Sequence, residues 1–464
     1  MDTRALSFFA EATRGELLGV TGACGVDRVV RDSRMARPGD IYVALRGERA
    51  DGHDYVEEAL ARGAVAAVVA RSEAARWEGK PRLVVADPRV ALGRMAARYR
   101  AGFTLPVVAV AGSNGKTTTK ELLGSVLGGC FPTLRSPESY NNDIGVPATL
   151  LELESEHVAA VVEVGTNHPG ELAPLLRMVQ PRVGVLTHIG EEHLEHFGSV
   201  AGVLEEEGWV AEMLAPDGVL ILPGDAWWSE AVRSRSRARV VTVGATAECD
   251  WRWLEVEPDA EGSAFSVRAP QAEWSGEYRV NLLGRHQAMN ALLALAAAAE
   301  FGLGREEILR GLAGCRPARW RMNRWQWDGV EVIEDCYNAN VDSSVAALEA
   351  LRAFPCAGRR VAVLGDLAEL GVHTRGAHER VGRRASELGV DRLVAVGAWG
   401  AVTAAAGAGG RMEVVAVDSL GAAAAQLRHH LRPGDCLLIK GSRSARLERL
   451  GELLREPDAL ERAA

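Results

Sequence analysis

The segment LPVVAVAGSNGKTTTK, residues 105–120, constrains the fold more than any other part of the chain. An apolar run without alternation cannot lie on a sheet that has one wet face. It reads as a strand buried on both sides, as in parallel sheets covered by helices. Gly-Ser-Asn-Gly-Lys-Thr then turns the chain into a helical stretch, Thr118–Leu127. Parallel strands need crossover connections, so the pattern should recur. It does, as HVAAVVEVG (157–165), RVGVLTHIG (182–190) and GVLILPG (218–224), with helical stretches between several of them. The expectation is a doubly wound α/β unit.

A chain of 464 residues is too long for one core. Before the loop, DIYVAL (40–45) and RLVVAD read as strands, DYVEEALARGAVAAVVA as a helix running into a strand, and Pro88 to Gly102 as a helix. Composition shifts at GCRPARWRMNRWQWDG, near 314–328. Beyond it VEVIEDC, RRVAVLGD, DRLVAVG, EVVAVD and DCLLIKGS, each followed by a helical pattern, read as a second, Rossmann-like sheet. Three α/β domains are therefore expected, at 1–103, 104–316 and 317–464.

The net charge of −9 and the lack of a basic stripe argue against nucleic acid as a partner. Seven dispersed cysteines without a C-x-x-C pair fit a reducing compartment. No apolar run suits a signal peptide, and Ala291–Ala299 is too short and Ala-rich to span a bilayer. A cytoplasmic protein without membrane insertion, acting as a monomer, is expected. Only four of the 53 basic residues are lysine: Lys80, Lys116, Lys120 and Lys440. Two of the four fall within the 105–120 segment, which argues against chance.

A strand, a glycine loop and a helix form the context for phosphate binding. The N–H groups of Gly112, Ser113, Asn114, Gly115, Lys116 and Thr117, with the helix N-terminus, would cradle phosphates, with Thr118 opening the helix. Lys116 would neutralise γ-phosphate oxygens and Thr117 would hold Mg²⁺. The first glycine of the usual G-x-x-x-x-G-K-[ST] pattern is missing, because Val110 stands there. An Mg²⁺–ATP site needs more oxygen ligands at neighbouring strand ends. Glu163 ends one buried strand. LTHIGEEHLEHFGS ends the next with His188, Glu191, Glu192, His193 and Glu195. Two other readings of that cluster are zinc binding through His193 and His196, and a solvated acidic loop.

GSNGKTTTK, YNNDIGVPATLL, VEVGTNHPGE, HIGEEHLEHFGS, GRHQAMNALLA and EDCYNANVDSS occur in that order. Together they resemble the Mur ligases, ATP-dependent amide ligases of peptidoglycan precursor synthesis, from about Asp32 to Arg443. That family's loop is G-x-x-G-K-[ST], so Val110 is expected there. DCYNAN-x-DS (Asp335–Ser343) resembles the members that add D-alanyl-D-alanine to UDP-N-acetylmuramoyl-tripeptide; these two substrates, ATP and Mg²⁺ are the implied ligands. A sibling ligase with another acceptor, or a nucleotide-binding regulator, are the alternatives.

The resemblance implies roles residue by residue. Lys116 and Thr117 match the phosphate and metal positions, Glu163 the first metal carboxylate, and His193 the second-metal ligand. Asn142 matches the loop facing the reacting phosphate. Asn290 would orient adenine, or cap a helix. Arg321 and Asp335 match γ-phosphate and ribose contacts, Asn338 and Asn340 nucleotide and peptide contacts. Lys440, Ser442 and Arg443 would contact substrate. Ser33, Arg34, Gly52 and His53 match uridine-binding loops, or are ordinary turn chemistry. In the family a carbamylated lysine bridges to the second metal. Here Glu207 takes its place, with Glu205 or Glu206 in neighbouring registers. His188, Cys336 and Val341 replace a usual Asn, Ser and Pro, and Pro223–Ala226 replaces an N-A-D-D turn.

Overall fold

The computed structural model describes residues 1–48 and 50–455; residues 456–464, at the end of the expected third domain, lie outside the described residues. Each of three α/β domains is built on one main sheet.

The central sheet has nine strands, in the order Gly276–Val280, Ser263–Arg268, Trp251–Pro258, Arg239–Gly244, Val219–Pro223, Val183–Leu186, Val107–Ala111, Ala159–Glu163 and Thr133–Arg135. All five residues of Val107–Ala111 are buried. Its parallel neighbours are Ala159–Glu163 on one side and Val183–Leu186 on the other, with Glu163 level with Val110 and Leu186 level with Ala111. The chain thus leaves this strand at a switch point, where parallel sheets open a crevice at their carboxyl ends. The helices Lys116–Gly128 and His286–Ala299 pack together on this sheet. The second is buried on nearly every face from Ala291 to Ala298, which its small side chains permit.

Residues 251–280 form three strands that the sequence reading left unassigned. The last two pairings are antiparallel. Their exposed glutamates and arginines break the apolar run, and a register shift between Trp253 and Val256 breaks alternation.

The first domain's five-stranded sheet runs Glu16–Leu18, Arg82–Val85, Ala66–Ala70, Asp40–Val43, Arg28–Val30. Its helix Pro88–Arg100 begins where Asp87 accepts the Arg89 N–H at 2.7 Å. That helix moors the domain to the central one. Tyr99 Oη donates to Leu153 O at 2.7 Å and Arg100 Nε to Val179 O at 3.0 Å.

The third domain's six strands run Asn323–Trp327, Val330–Asp335, Cys436–Lys440, Arg360–Gly365, Arg392–Val396, Glu413–Val417, parallel except for the first hairpin. Asp335 and Lys440 are register partners. Their strand ends face the phosphate-loop end of the central sheet, and the crevice lies between.

Candidate active site

A cavity of about 530 Å³ occupies that crevice. The loop forms one wall. Gly112 has φ +117°, and a Cβ there would lie 2.8 Å from His188 O and 2.9 Å from His188 N, so no side chain fits. Gly115, at φ +85°, precedes the helix in left-handed backbone. Thr187 Oγ1 donates to Asn114 O at 2.6 Å, and Ser113 Oγ accepts the Gly190 N–H at 3.0 Å, so the next strand clamps the loop. Lys116 folds back on its own loop, donating to Gly112 O and, at 3.4 Å, to Ser113 O, with Glu192 at 3.8 Å. A phosphate need only replace these partners.

Glu163 lines the cavity and is buried. Oε1 accepts from Asn141 Nδ2 at 2.9 Å, while Oε2 has no hydrogen-bond partner and lies 4.0 Å from Lys120 Nζ. A buried carboxylate oxygen without a donor is costly unless a cation completes it. Thr117 Oγ1, 3.1 Å from Ser139 Oγ, lines the same cavity, so Glu163 and Thr117 both offer oxygen donors to a cation there. Among the described residues no three His, Cys, Asp or Glu side chains form a ready metal centre. A cation here would therefore draw on phosphate oxygens and water as well, as Mg²⁺ does.

Two expectations around the loop need correction. Asn142 is exposed and does not line the cavity. Its Oδ1 accepts the N–H groups of Ile144 (3.2 Å) and Gly145 (2.8 Å), so it organises the turn into Gly145–Leu150. Asn141, beside it, is the residue that reaches Glu163. Glu207 is fully buried and off the cavity wall, and neither carboxylate oxygen has a hydrogen-bond partner. Burial pushes its pKa up to about 8, against the pull of nearby Lys116. It is a sealed acid beneath the loop. Glu206 instead accepts the N–H groups of Gly170 and Leu172, and Glu205 pairs with Arg235, so Glu207 is the one of the three beside Lys116. For Asn290 the capping alternative falls away, because its helix begins at His286. Asn290 itself lines the cavity and donates to Gln287 Oε1 at 2.8 Å.

The third domain supplies the opposite wall. Asn340 caps the helix Val341–Ala353 through Ser343 N–H at 2.9 Å and donates to Asn114 Oδ1 at 3.0 Å. Arg321 lies over the Tyr337 ring at 4.4 Å and donates to Ser139 Oγ at 3.3 Å. Lys440 is buried, 2.8 Å from Asp335 and donating to Asn338 O at 2.8 Å. Ser442 is committed to the main chain, donating to Ala339 O and accepting from Ala368 N–H. It shapes the wall and contributes no free hydroxyl. Arg443 stands at the rim over Trp320 and pairs with Glu448.

Sequence reasoning missed Asn141, Ser139, Tyr337, Asp342 and Glu369, all on the cavity wall, and gave no role to His286. Burial lowers the basicity of His286 and of His188, whose Nδ1 has no partner. Glu369 is held below the usual carboxylate range by the hydrogen bond from His193. Proximity to a strand end was the available signal: Glu369 follows RRVAVLGD as Asp335 follows VEVIE.

In the first domain the expected uridine contacts divide. His53 is buried with both ring nitrogens engaged, Nδ1 with Asp51 (2.6 Å) and Nε2 accepting the Ala70 N–H (3.0 Å). Ser33 is buried and donates to Glu58 at 2.6 Å. Gly52 lies against the Leu45 backbone, where a Cβ would be 2.6 Å from Leu45 N. These three are structural here, which corrects their assignment to substrate. Arg34 is exposed, paired with Asp32 at 2.7 Å.

Three family descriptions match consecutive parts of the chain: the Mur ligase family catalytic domain at 26–100, the Mur ligase middle domain at 110–298, and the Mur ligase glutamate ligase domain at 320–443. The UDP-N-acetylmuramoyl-tripeptide--D-alanyl-D-alanine ligase of Escherichia coli (strain K12) is 35% identical, over 97% of this chain and 98% of its own length. A MurF crystal structure from Acinetobacter baumannii superposes with a TM-score of 0.89 at 33% identity, covering 98% of this chain and all of the other (100%). MurF ligase from Thermotoga maritima, in complex with ADP, gives 0.81 at 26% identity over 94% and 98%. With its loop, its cavity and its full-length likeness to these ligases, the chain belongs to the Mur ligase family.

Proposed function

We propose that this protein joins D-alanyl-D-alanine to UDP-N-acetylmuramoyl-tripeptide at the expense of ATP, releasing ADP and phosphate. The observation that carries this reading is the meeting of the phosphate loop and the DCYNAN segment across one cavity, Asn114 to Asn340 at 3.0 Å. The proposed domain limits, 1–103, 104–316 and 317–464, leave each sheet whole.

The tripeptide carboxylate attacks the γ-phosphorus, and the acyl phosphate so formed is opened by the dipeptide amine. The chain's part is to position these groups and balance charge. Loop N–H groups and Lys116 hold the β- and γ-phosphate oxygens at the helix N-terminus. Gln287, Asn290 and His286 line the side toward the Ala-rich helix, where Asn290 would meet the adenine edge. Asp335, fixed by Lys440, would accept from ribose, while Arg321 faces the phosphates and the exposed Asn338 the peptide. Arg443 at the rim and Arg34 on the first domain offer charge to the rest of the uridine substrate. The third domain shields the acyl phosphate from water. Thr117, Glu163 and His193 would hold magnesium, which supplies neutralisation of the γ-phosphate charge.

Phosphate release tests the reading, with ATP, Mg²⁺, UDP-N-acetylmuramoyl-tripeptide and D-Ala-D-Ala each omitted in turn. All four should be needed. Release without the dipeptide would point to another acceptor, and no release under any combination to a regulator. Lys116→Ala should lower kcat about 10²–10³-fold.

A further inference from the structure

Glu369 belongs to the third domain, just past the strand Arg360–Gly365, yet its side chain ends on the central domain. Its carboxylate meets His193 Nδ1, and its carbonyl accepts the Glu195 N–H at 3.0 Å. Both residues hold left-handed backbone, φ 49° at His193 and φ 60° at Glu369. That conformation is unfavourable for an L-residue and persists where the surroundings over-determine it. A carboxylate can only accept, so Nδ1 carries the proton and Nε2 keeps its lone pair. His193 lines the cavity, with Nε2 4.0 Å from Glu192 Oε2.

We infer that Glu369 is a positioning residue: on closure of the third domain it fixes the tautomer and ring direction of His193, so that Nε2 is presented to a divalent cation in the cavity. The inference rests on the magnesium reading above. A carboxylate behind a metal-bound histidine contributes about 10–100-fold in affinity. Because this carboxylate comes from the other side of the crevice, the His193 site is complete only when the domains meet. By linkage, the cation then favours the closed arrangement to the same degree.

Mn²⁺ binding to the full chain, saturated with a non-hydrolysable ATP analogue, tests this through the electron paramagnetic resonance signal of free Mn²⁺. The native protein should bind a tight and a weaker ion. Glu369→Gln should weaken the second by about 10–100-fold and leave the first within about twofold. Glu369→Asp, which keeps the charge, should recover part of the loss. Arg380→Ala, which removes a different cross-domain pair with Glu191, should leave both within about threefold. An unchanged titration in Glu369→Gln, or an equal loss in Arg380→Ala, overturns the inference. A single ion in the native protein overturns it while the nucleotide site stands, and no Mn²⁺ binding at all overturns the functional reading too.

Discussion

Glu207 shows how one residue's surroundings decide its chemistry. The sequence displays a carboxylate among three; the structure seals it near Lys116, with no hydrogen-bond partner on either oxygen. Between its ordinary value of 4.5 and about 8, the folded chain keeps a proton that the unfolded chain has lost. Stability contributed by this group therefore falls as pH rises through that window, by at most about 1.4 kcal/mol per pH unit. Metal-free protein should melt lower at pH 8 than at pH 5.5 by more than Glu207→Gln does; the difference between the two isolates this group from His188 and His286, which pull the other way. Equal slopes in thermal melts would show that Glu207 ionises freely. His53 is a similar case. Its two hydrogen bonds make His53→Ala destabilising by about 2–3 kcal/mol in urea titrations, with substrate affinity in the surviving folded protein unchanged. Residue types at both positions were legible in sequence, but neighbours were not, since Ala70 and Lys116 come close only through the fold.

At the scale of elements, the parallel strands were legible because burial on both faces leaves an apolar run. The loop and its helix were legible because glycine, lysine and threonine occur there in fixed order. The antiparallel extension was not, since its mixed faces imitate loop composition. Nor was the role of Lys120, which is fully buried on the helix Lys116–Gly128. It donates to Ser136 O at 2.9 Å and Glu138 O at 2.5 Å, and pairs with Glu121 at 2.6 Å. It thereby ties the helix to the segment carrying Ser139 and Asn141. Lys120→Met should cost on the order of 3–5 kcal/mol, read by denaturant unfolding, and should raise the KM for ATP in whatever protein folds. Asn340→Ala removes a cap worth about 1 kcal/mol and the bond to Asn114 with it.

Over the whole molecule, the first domain is moored by a packed helix, whereas the third meets the central domain through a set of polar bridges, Asn340 to Asn114, Arg321 to Ser139, Glu369 to His193 and Arg380 to Glu191, beside apolar residues such as Leu194 and Leu370 that share one buried cluster. Interfaces between domains that rest on polar bridges around a ligand cavity commonly close when it fills. Adding an ATP analogue and the uridine substrate together should lower the radius of gyration in small-angle scattering, while either alone should do less; no change on adding both would count against closure. The family motifs made three domains legible, but which side chains bridge them depends on rigid-body placement that no local pattern encodes. The scarcity of lysine has a practical consequence as well. Lys120 and Lys440 are buried, Lys116 is mostly covered, and the amino group of Met1 is held by Glu154. Lys80 alone among the lysines is exposed, its amine only loosely paired with the exposed Glu57 at 3.7 Å. An acylating reagent should therefore label this protein at one fast site and one slow one, and nucleotide, by covering Lys116, should erase only the slow one.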